Sequence, residues 1–390
     1  MGYWKSLSAR KLAQGRFLMS ISCILIVLGF AAMGCAGPGK RSNDASSRFE
    51  KLVVFGDPAK NGIFDVSVEY GPDGIGWLIY SRVELPKYVS THLARSRDRG
   101  KTWVYVGTIN ASRDDTINVK GKAITGVWRY ETPTLVYDPK DNPERHWKLY
   151  VERYFTLPPY KKGSTLHGEG WIEVKYARRP DGLWSKAERL FGSRASGSRI
   201  DLNQLHPNLR RMKFYNELGS IALGGTLYLS MDASSTPSGV GDWKNHKIIL
   251  IASRDHGKSW TYAGTLVDYD DASDARYLVL TGSSPVKEGN RLFLLVTPSG
   301  AKGLFGVKNR GHDGIWIVEF EDIARAKLKR SAKGQLAVLR KIPVNLTNGG
   351  LGDYHELNLY GGILFPQINV KSPPDVFQTY MTHQRILLGR

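Results

Sequence analysis

From Phe49 onward the chain alternates apolar and polar residues in short runs punctuated by Gly, Pro, Asn and Asp. A period of two over four to eight residues marks strands with one buried face. Clear cases are Trp77-Leu78-Ile79-Tyr80, Trp147-Lys148-Leu149-Tyr150-Val151, Thr226-Leu227-Tyr228-Leu229-Ser230, Arg291-Leu292-Phe293-Leu294-Leu295-Val296 and Ile315-Trp316-Ile317-Val318. No long segment repeats its apolar residues at helical spacing, and only Glu321 to Lys329 is expected to form a short helix.

The runs group into five similar units. The first begins near Phe64-Asp65-Val66-Ser67-Val68, the second at Tyr130-Glu131-Thr132-Pro133 and the third near Asn216-Glu217-Leu218-Gly219-Ser220. A fourth runs from about Leu280 to Arg340, and a fifth opens at Tyr354-His355-Glu356-Leu357-Asn358. The fifth has too few residues for four strands unless Lys51-Leu52-Val53-Val54-Phe55 completes its sheet, a usual closure of a propeller. Residues 49–390 are therefore expected to form one all-β domain, a five-bladed β-propeller; six blades would make each unusually short.

The first 35 residues differ. Lys5, Arg10, Lys11 and Arg16 precede an uncharged, mostly apolar run from Phe17 to Gly34 that ends at Cys35, and residues 36–48 are small, polar and tether-like. This reads as an export signal of lipoprotein type, with Cys35 as the lipid attachment point and the cell envelope as the destination. An uncleaved signal anchor and ordinary cleavage are the alternatives. Of 390 residues only two are cysteine, Cys23 and Cys35, so the propeller has no disulfide, no thiolate nucleophile and no cysteine metal site. A net charge of +19 suits a neighbour such as anionic lipid or an acidic glycan. Lys and Arg are scattered with no nucleic-acid motif, so nucleic acid is not an expected partner.

One phrase occurs twice, as Ser96-Arg97-Asp98-Arg99-Gly100-Lys101-Thr102-Trp103 and as Ser253-Arg254-Asp255-His256-Gly257-Lys258-Ser259-Trp260. Asp and Ser can tie down turn amides, Gly supplies a left-handed residue, and Trp buries its ring beside the hairpin. Arg178 to Trp184 holds a degenerate version. The phrase resembles the Asp-box of sialidase-like β-propellers. That resemblance implies a structural role for Asp98 and Asp255, on the face away from the active centre.

Catalytic chemistry is expected where inner strands converge on the channel. Asp65, Glu131, Glu217 and Glu356 fall near the starts of candidate inner strands. Paired carboxylates cleave glycosidic bonds, one as acid and the other as base or nucleophile, and crowding raises the pKa of at least one. The acids resemble those of five-bladed glycoside hydrolases, the arabinanase and fructosidase group, which take Asp, Asp and Glu from their first three blades. Asp65 and Glu217 match, while Glu131 stands where that group has Asp. The resemblance implies a carbohydrate substrate, Asp65 as base or nucleophile, Glu217 as general acid, and Glu131 as tuning group. Arg129, His206, His355 and Glu356 are candidate substrate contacts. No cofactor or metal is called for, although His355 could sit near a bound calcium.

Two other readings share the fold. A sialidase needs an Arg clamp and a Tyr–Glu nucleophile, for which Arg129, Arg199, Arg211 and Arg276 with Tyr130 or Tyr354 are the candidates. A non-catalytic Asp-box propeller would instead serve as a binding or assembly scaffold.

Overall fold

The computed structural model describes residues 49–57, 59, 62–160, 164–192, 197–236, 242–300, 311–344, 349–364 and 377–387. The leader, the tether and Cys35 lie outside them. Among the described residues the strands pair into five sheets, nearly all antiparallel, in a propeller arrangement. Their inner strands are Ile63–Tyr70, Lys122–Tyr137, Phe214–Leu223, Val279–Glu288 and Gly349–His355. Each inner strand touches the next, and the last returns to the first.

The sequence spacing explains the layering. Alternate residues of each strand point to opposite faces, so every sheet offers an apolar surface to both neighbours. Val136, Tyr150, Leu229 and Ile249 meet between the second and third sheets. Ile248, Leu250, Leu294 and Val318 fill the next wedge, and Val68, Tyr80, Tyr360 and Met381 close the gap between last and first. The core is thus a set of wedges between sheets, with a polar channel at the centre.

The chain closes on itself at its N-terminal segment. Glu50–Lys51 pairs with Phe377–Thr382 as the outer strand of the last sheet, with Glu50 opposite Met381. Val54–Phe55 then crosses to the first sheet and runs parallel to Trp103–Asn110. One segment therefore bridges two neighbouring sheets.

Both Asp phrases form the turn between the third and fourth strands of their sheets, with the same hydrogen bonds. Ser96 Oγ donates to Asp98 (2.8 Å), the Gly100 amide to Ser96 Oγ (2.8 Å), and Thr102 donates its amide (2.9 Å) and hydroxyl (2.6 Å) to Asp98. Ser253, Gly257 and Ser259 repeat this around Asp255 at 2.8, 2.7, 2.9 and 2.6 Å. Burial opposes ionisation of both carboxyls, but these donors prevail and hold each at about 2. Each turn also latches onto the adjoining sheet: Asn358 donates to the Arg99 carbonyl (3.2 Å), and His256 contacts Asp138 (3.0 Å). The Arg178–Trp184 turn occupies the equivalent place but lacks this network, its Trp184 indole donating to the Pro180 carbonyl (2.9 Å).

Two expectations change. Glu321–Lys329 is not a helix: strand Ile315–Asp322 continues into it, and only Ile323–Arg325 forms a single 3-10 turn before Lys327–Leu328. The fifth inner strand starts at Gly349, not Tyr354, because Gly349-Gly350-Leu351-Gly352 is strand despite its loop-like composition. The glycines are needed for packing: a Cβ on Gly352 would lie 2.3 Å from Ile315 Cδ1.

Candidate active site

All five inner strands share one distortion. Each carries a β-bulge in which one residue takes the left-handed conformation: Asp65 (φ 48°), Thr132 (50°), Glu217 (53°), Gly282 (59°) and Leu351 (50°). A non-glycine residue there costs on the order of 1 kcal/mol. Bulges bend a strand and re-aim its side chains, and here the five bulge residues line one central cavity of about 30 Å³. That volume admits a water rather than a sugar ring, so a larger ligand must approach from above it.

Two of the five equivalent places hold acids, Asp65 and Glu217. Glu131 directly precedes the third, Thr132, and its place is that of Phe64 and Asn216 in the neighbouring strands. The three acids are nonetheless brought together, since each acts electrostatically on another: Glu131 on Asp65, and both on Glu217. All three are half-buried. Among the described residues none is ion-paired with Arg, Lys or His.

Their surroundings differ. Burial, then the charge of Glu131, pushes Asp65 up to about 8, against hydrogen bonds from the Ser81 hydroxyl and the Thr132 amide. Thr132 N also donates to Ser81 Oγ (3.2 Å), so a short relay of donors ends on the Asp65 carboxylate. Among the described residues Glu217 lacks such support, accepting only from Asn216 Nδ2, at 3.5 Å. Burial and the charges of Asp65, Asp232, Glu131 and Glu152 drive its carboxyl well above the usual range. Glu131 accepts a hydrogen bond from the Tyr154 hydroxyl.

Three further residues complete the group. Glu152, 5% exposed, stands opposite Glu131 in the second sheet, and burial with the charges of Glu131 and Asp65 raises its carboxyl strongly. Asp232, 2% exposed, contacts His246 Nε2 (3.1 Å) and accepts from the Thr281 hydroxyl, leaving Oδ1 unpartnered. Tyr154 is held protonated by burial and by Glu131. Glu152 does not stand out in the sequence, because strand Trp147–Thr156 also carries Lys148 and Arg153 among its core residues.

The four candidate substrate contacts lie elsewhere or are engaged. Arg129 is near the acids, but its guanidinium donates to the carbonyls of Lys87 (3.0 Å) and Pro86, tying down a neighbouring turn. His206 caps a 3-10 turn through Asn208 N (3.2 Å) and stacks on Tyr262, in the outer strand of the third sheet. His355 ends the fifth inner strand, four residues beyond Leu351 and so ~13 Å along it. Its ring packs 4.1 Å from Tyr70, at the Asp-turn end of the channel. Glu356 accepts from the Gly289 amide (2.6 Å) at the same end. His355 and Glu356 thus occupy a strand end rather than a strand start, on the face opposite the acids. Among the described residues no group of three or more His, Cys, Asp or Glu is arranged to hold a metal ion.

No protein-family model matches the chain, and no curated protein matches it. Among solved structures it is similar to a thermostable family-43 glycoside hydrolase, at 12% identity and a TM-score of 0.49, over 84% of this chain and 90% of that one. Zg3597, a family 117 glycoside hydrolase of the marine bacterium Zobellia galactanivorans, shares 13% identity at 0.47, over 88% and 92%. A Trypanosoma rangeli sialidase shares 13% at 0.44, over 87% of this chain and 56% of its own.

The residues a sialidase would need are dispersed. Tyr130 packs with Trp128 and Trp171, and Tyr354 donates to Glu288 (2.8 Å). Arg199 pairs with Glu188 (2.8 Å), away from Arg129. The Tyr154–Glu131 contact is the nearest counterpart of a Tyr–Glu nucleophile, but burial and negative neighbours resist forming its phenolate.

Proposed function

We propose that this protein is a glycoside hydrolase working from the channel end that carries Asp65, Glu131 and Glu217. The observation that carries the reading is the unequal treatment of the two bulge acids. Asp65 receives donors that favour its ionised form, whereas Glu217 lies among negative charges with one distant amide. Two carboxyls whose environments differ in this way divide into base and acid.

In this mechanism Glu217 holds the shared proton and gives it to the glycosidic oxygen as the bond breaks. Asp65 acts as base or nucleophile in the molecules in which it is ionised, a fraction that grows as pH rises towards about 8. Glu131, fixed by Tyr154, adds negative charge next to Asp65 and favours the positive charge developing at the sugar ring. The group titrates as a unit, so its pH dependence belongs to the cluster rather than to one residue.

Leaving-group dependence tests this assignment. A Glu217→Gln enzyme should lose most activity on alkyl-type leaving groups and far less on nitrophenyl glycosides, which need no protonation. Equal losses on both would remove Glu217 as the acid. We propose further that the protein acts at the cell envelope, tethered through Cys35, on the basis of the basic and apolar leader. Radiolabelled palmitate incorporation that persists in Cys35→Ala would rule the tether out.

A further inference from the structure

We propose that a second cavity, in the flank of the second sheet, binds the oxyanion of an acidic saccharide unit, a sugar carrying carboxylate or sulfate. The cavity has a volume of about 350 Å³, within the range of small-molecule sites. Arg113, Arg153, Lys175, Lys186 and Arg189 line it, with Glu173 the single acid in its wall.

The wall is built rather than incidental. Arg153 pairs with Glu173 (2.8 Å) and lies over the rings of Trp128 (4.1 Å) and Trp171 (4.7 Å). Arg189 also covers Trp171, at 3.8 Å. Lys175 is anchored to the Ile109 carbonyl (2.9 Å). Two buried donors at this wall have no hydrogen-bond partner among the described residues: Arg153 Nε, and Nδ2 of Asn110, a residue only 5% exposed. Buried donors without acceptors are costly, and an oxyanion supplies acceptors and charge together. Arg113 and Lys186, both exposed at the rim, have no ion pair among the described residues.

The aromatic faces here are covered by guanidinium groups, so a nucleic acid would find no ring on which to stack its bases. That favours a sugar as the carrier of the charge. The choice of a saccharide rests on the glycan-processing reading; the recognition of an anion does not. The site is also separate from the acids: Tyr130 lines the cavity, and Glu131, the next residue along the strand, faces the other way.

Calorimetric titration of the purified protein tests this without using turnover. The probes are a galacturonic acid trisaccharide, a sulfated galactose disaccharide, neutral galactotriose, inorganic sulfate and a short single-stranded oligonucleotide. At least one acidic saccharide should bind, and galactotriose should not. Arg113→Glu and Lys186→Glu should each weaken that binding about tenfold or more, while Lys333→Glu, an exposed control, should leave it unchanged. Which acidic saccharide binds more tightly separates carboxylate from sulfate. Equal binding of neutral and acidic sugars, no binding of either acidic sugar, or indifference to both rim reversals would overturn the proposal. Sulfate matching the saccharides would reduce the site to a simple anion pocket, and tighter binding of the oligonucleotide would replace the sugar. A protein that binds the acidic sugar but hydrolyses nothing would fail only the catalytic reading.

Discussion

Asp65→Asn isolates one charge of the cluster with little change of shape. Asn tolerates the left-handed conformation that Asp65 holds at φ 48°, and its side-chain oxygen can still accept from Ser81 and Thr132. The Asp65 carboxyl moves from 3.8 to about 8 on folding. The folded state therefore keeps a proton that the unfolded chain releases, so its stability is intact below about pH 4 and is lost as pH rises towards 8. At about 1.4 kcal/mol per pH unit the whole interval would amount to ~5–6 kcal/mol. Asp65 is half-buried and solvent screens part of this, so about 2–3 kcal/mol is the expected effect. Urea unfolding of wild type and variant at about pH 5 and about pH 8.5 reads it directly. The variant should be close to wild type at the lower pH and more stable by that amount at the higher one. Parallel stabilities at both pH values, or a wild type that gains stability with pH through this interval, would refute the burial of Asp65 beside the charge of Glu131.

Three other substitutions probe separate parts of the account. Tyr154→Phe removes the hydroxyl that Glu131 accepts and should lower kcat about tenfold or more while shifting the pH–rate profile; an unchanged profile would detach Glu131 from the chemistry. Lys148 is fully buried between Asp138 (3.2 Å) and Asp141 (2.7 Å), so Lys148→Met, which takes the buried cation from both acids and leaves them only His256 and Arg145, should cost about 3–5 kcal/mol by chemical denaturation. Asp98→Ala should cost about 1–3 kcal/mol by losing the acceptor for Ser96 and Thr102, with the hydrolysis rate per folded molecule unaltered. A specific loss of rate in that variant would contradict a purely structural turn.

What could be read from the chain was local. The Asp phrases specify their own hydrogen bonds within eight residues, and the Lys51–Phe55 run is apolar enough to mark extra pairing, but only its Lys51 end joins the last sheet while Val54–Phe55 joins the first. Depth along the channel was not legible. His355 follows an aromatic residue, Tyr354, as Asp65 follows Phe64, yet the two stand at opposite ends of their strands, because a period of two says which face a residue takes and not how far along it lies. The Gly349–Gly352 stretch misled for a related reason: close packing at the channel calls for glycine, and glycine in sequence reads as loop. The placement of Glu131 depends on the bulge. The bulge begins directly after Phe64, Glu131 and Asn216, so Thr132, not Glu131, is level with Asp65 and Glu217, and nothing local announces where it falls. Glu152 was hidden by its company, a strand whose other residues are mostly core.

Turnover of a glycan is the most direct test of the central claim. Wild type, Asp65→Asn and Glu217→Gln would be assayed for reducing-end release on a panel of neutral and acidic polysaccharides. The account predicts that wild type cleaves at least one of them and that each substitution lowers the rate by ~10²-fold or more with the fold intact. Either variant cleaving at the wild-type rate, or a wild type inert on every glycan, would contradict it.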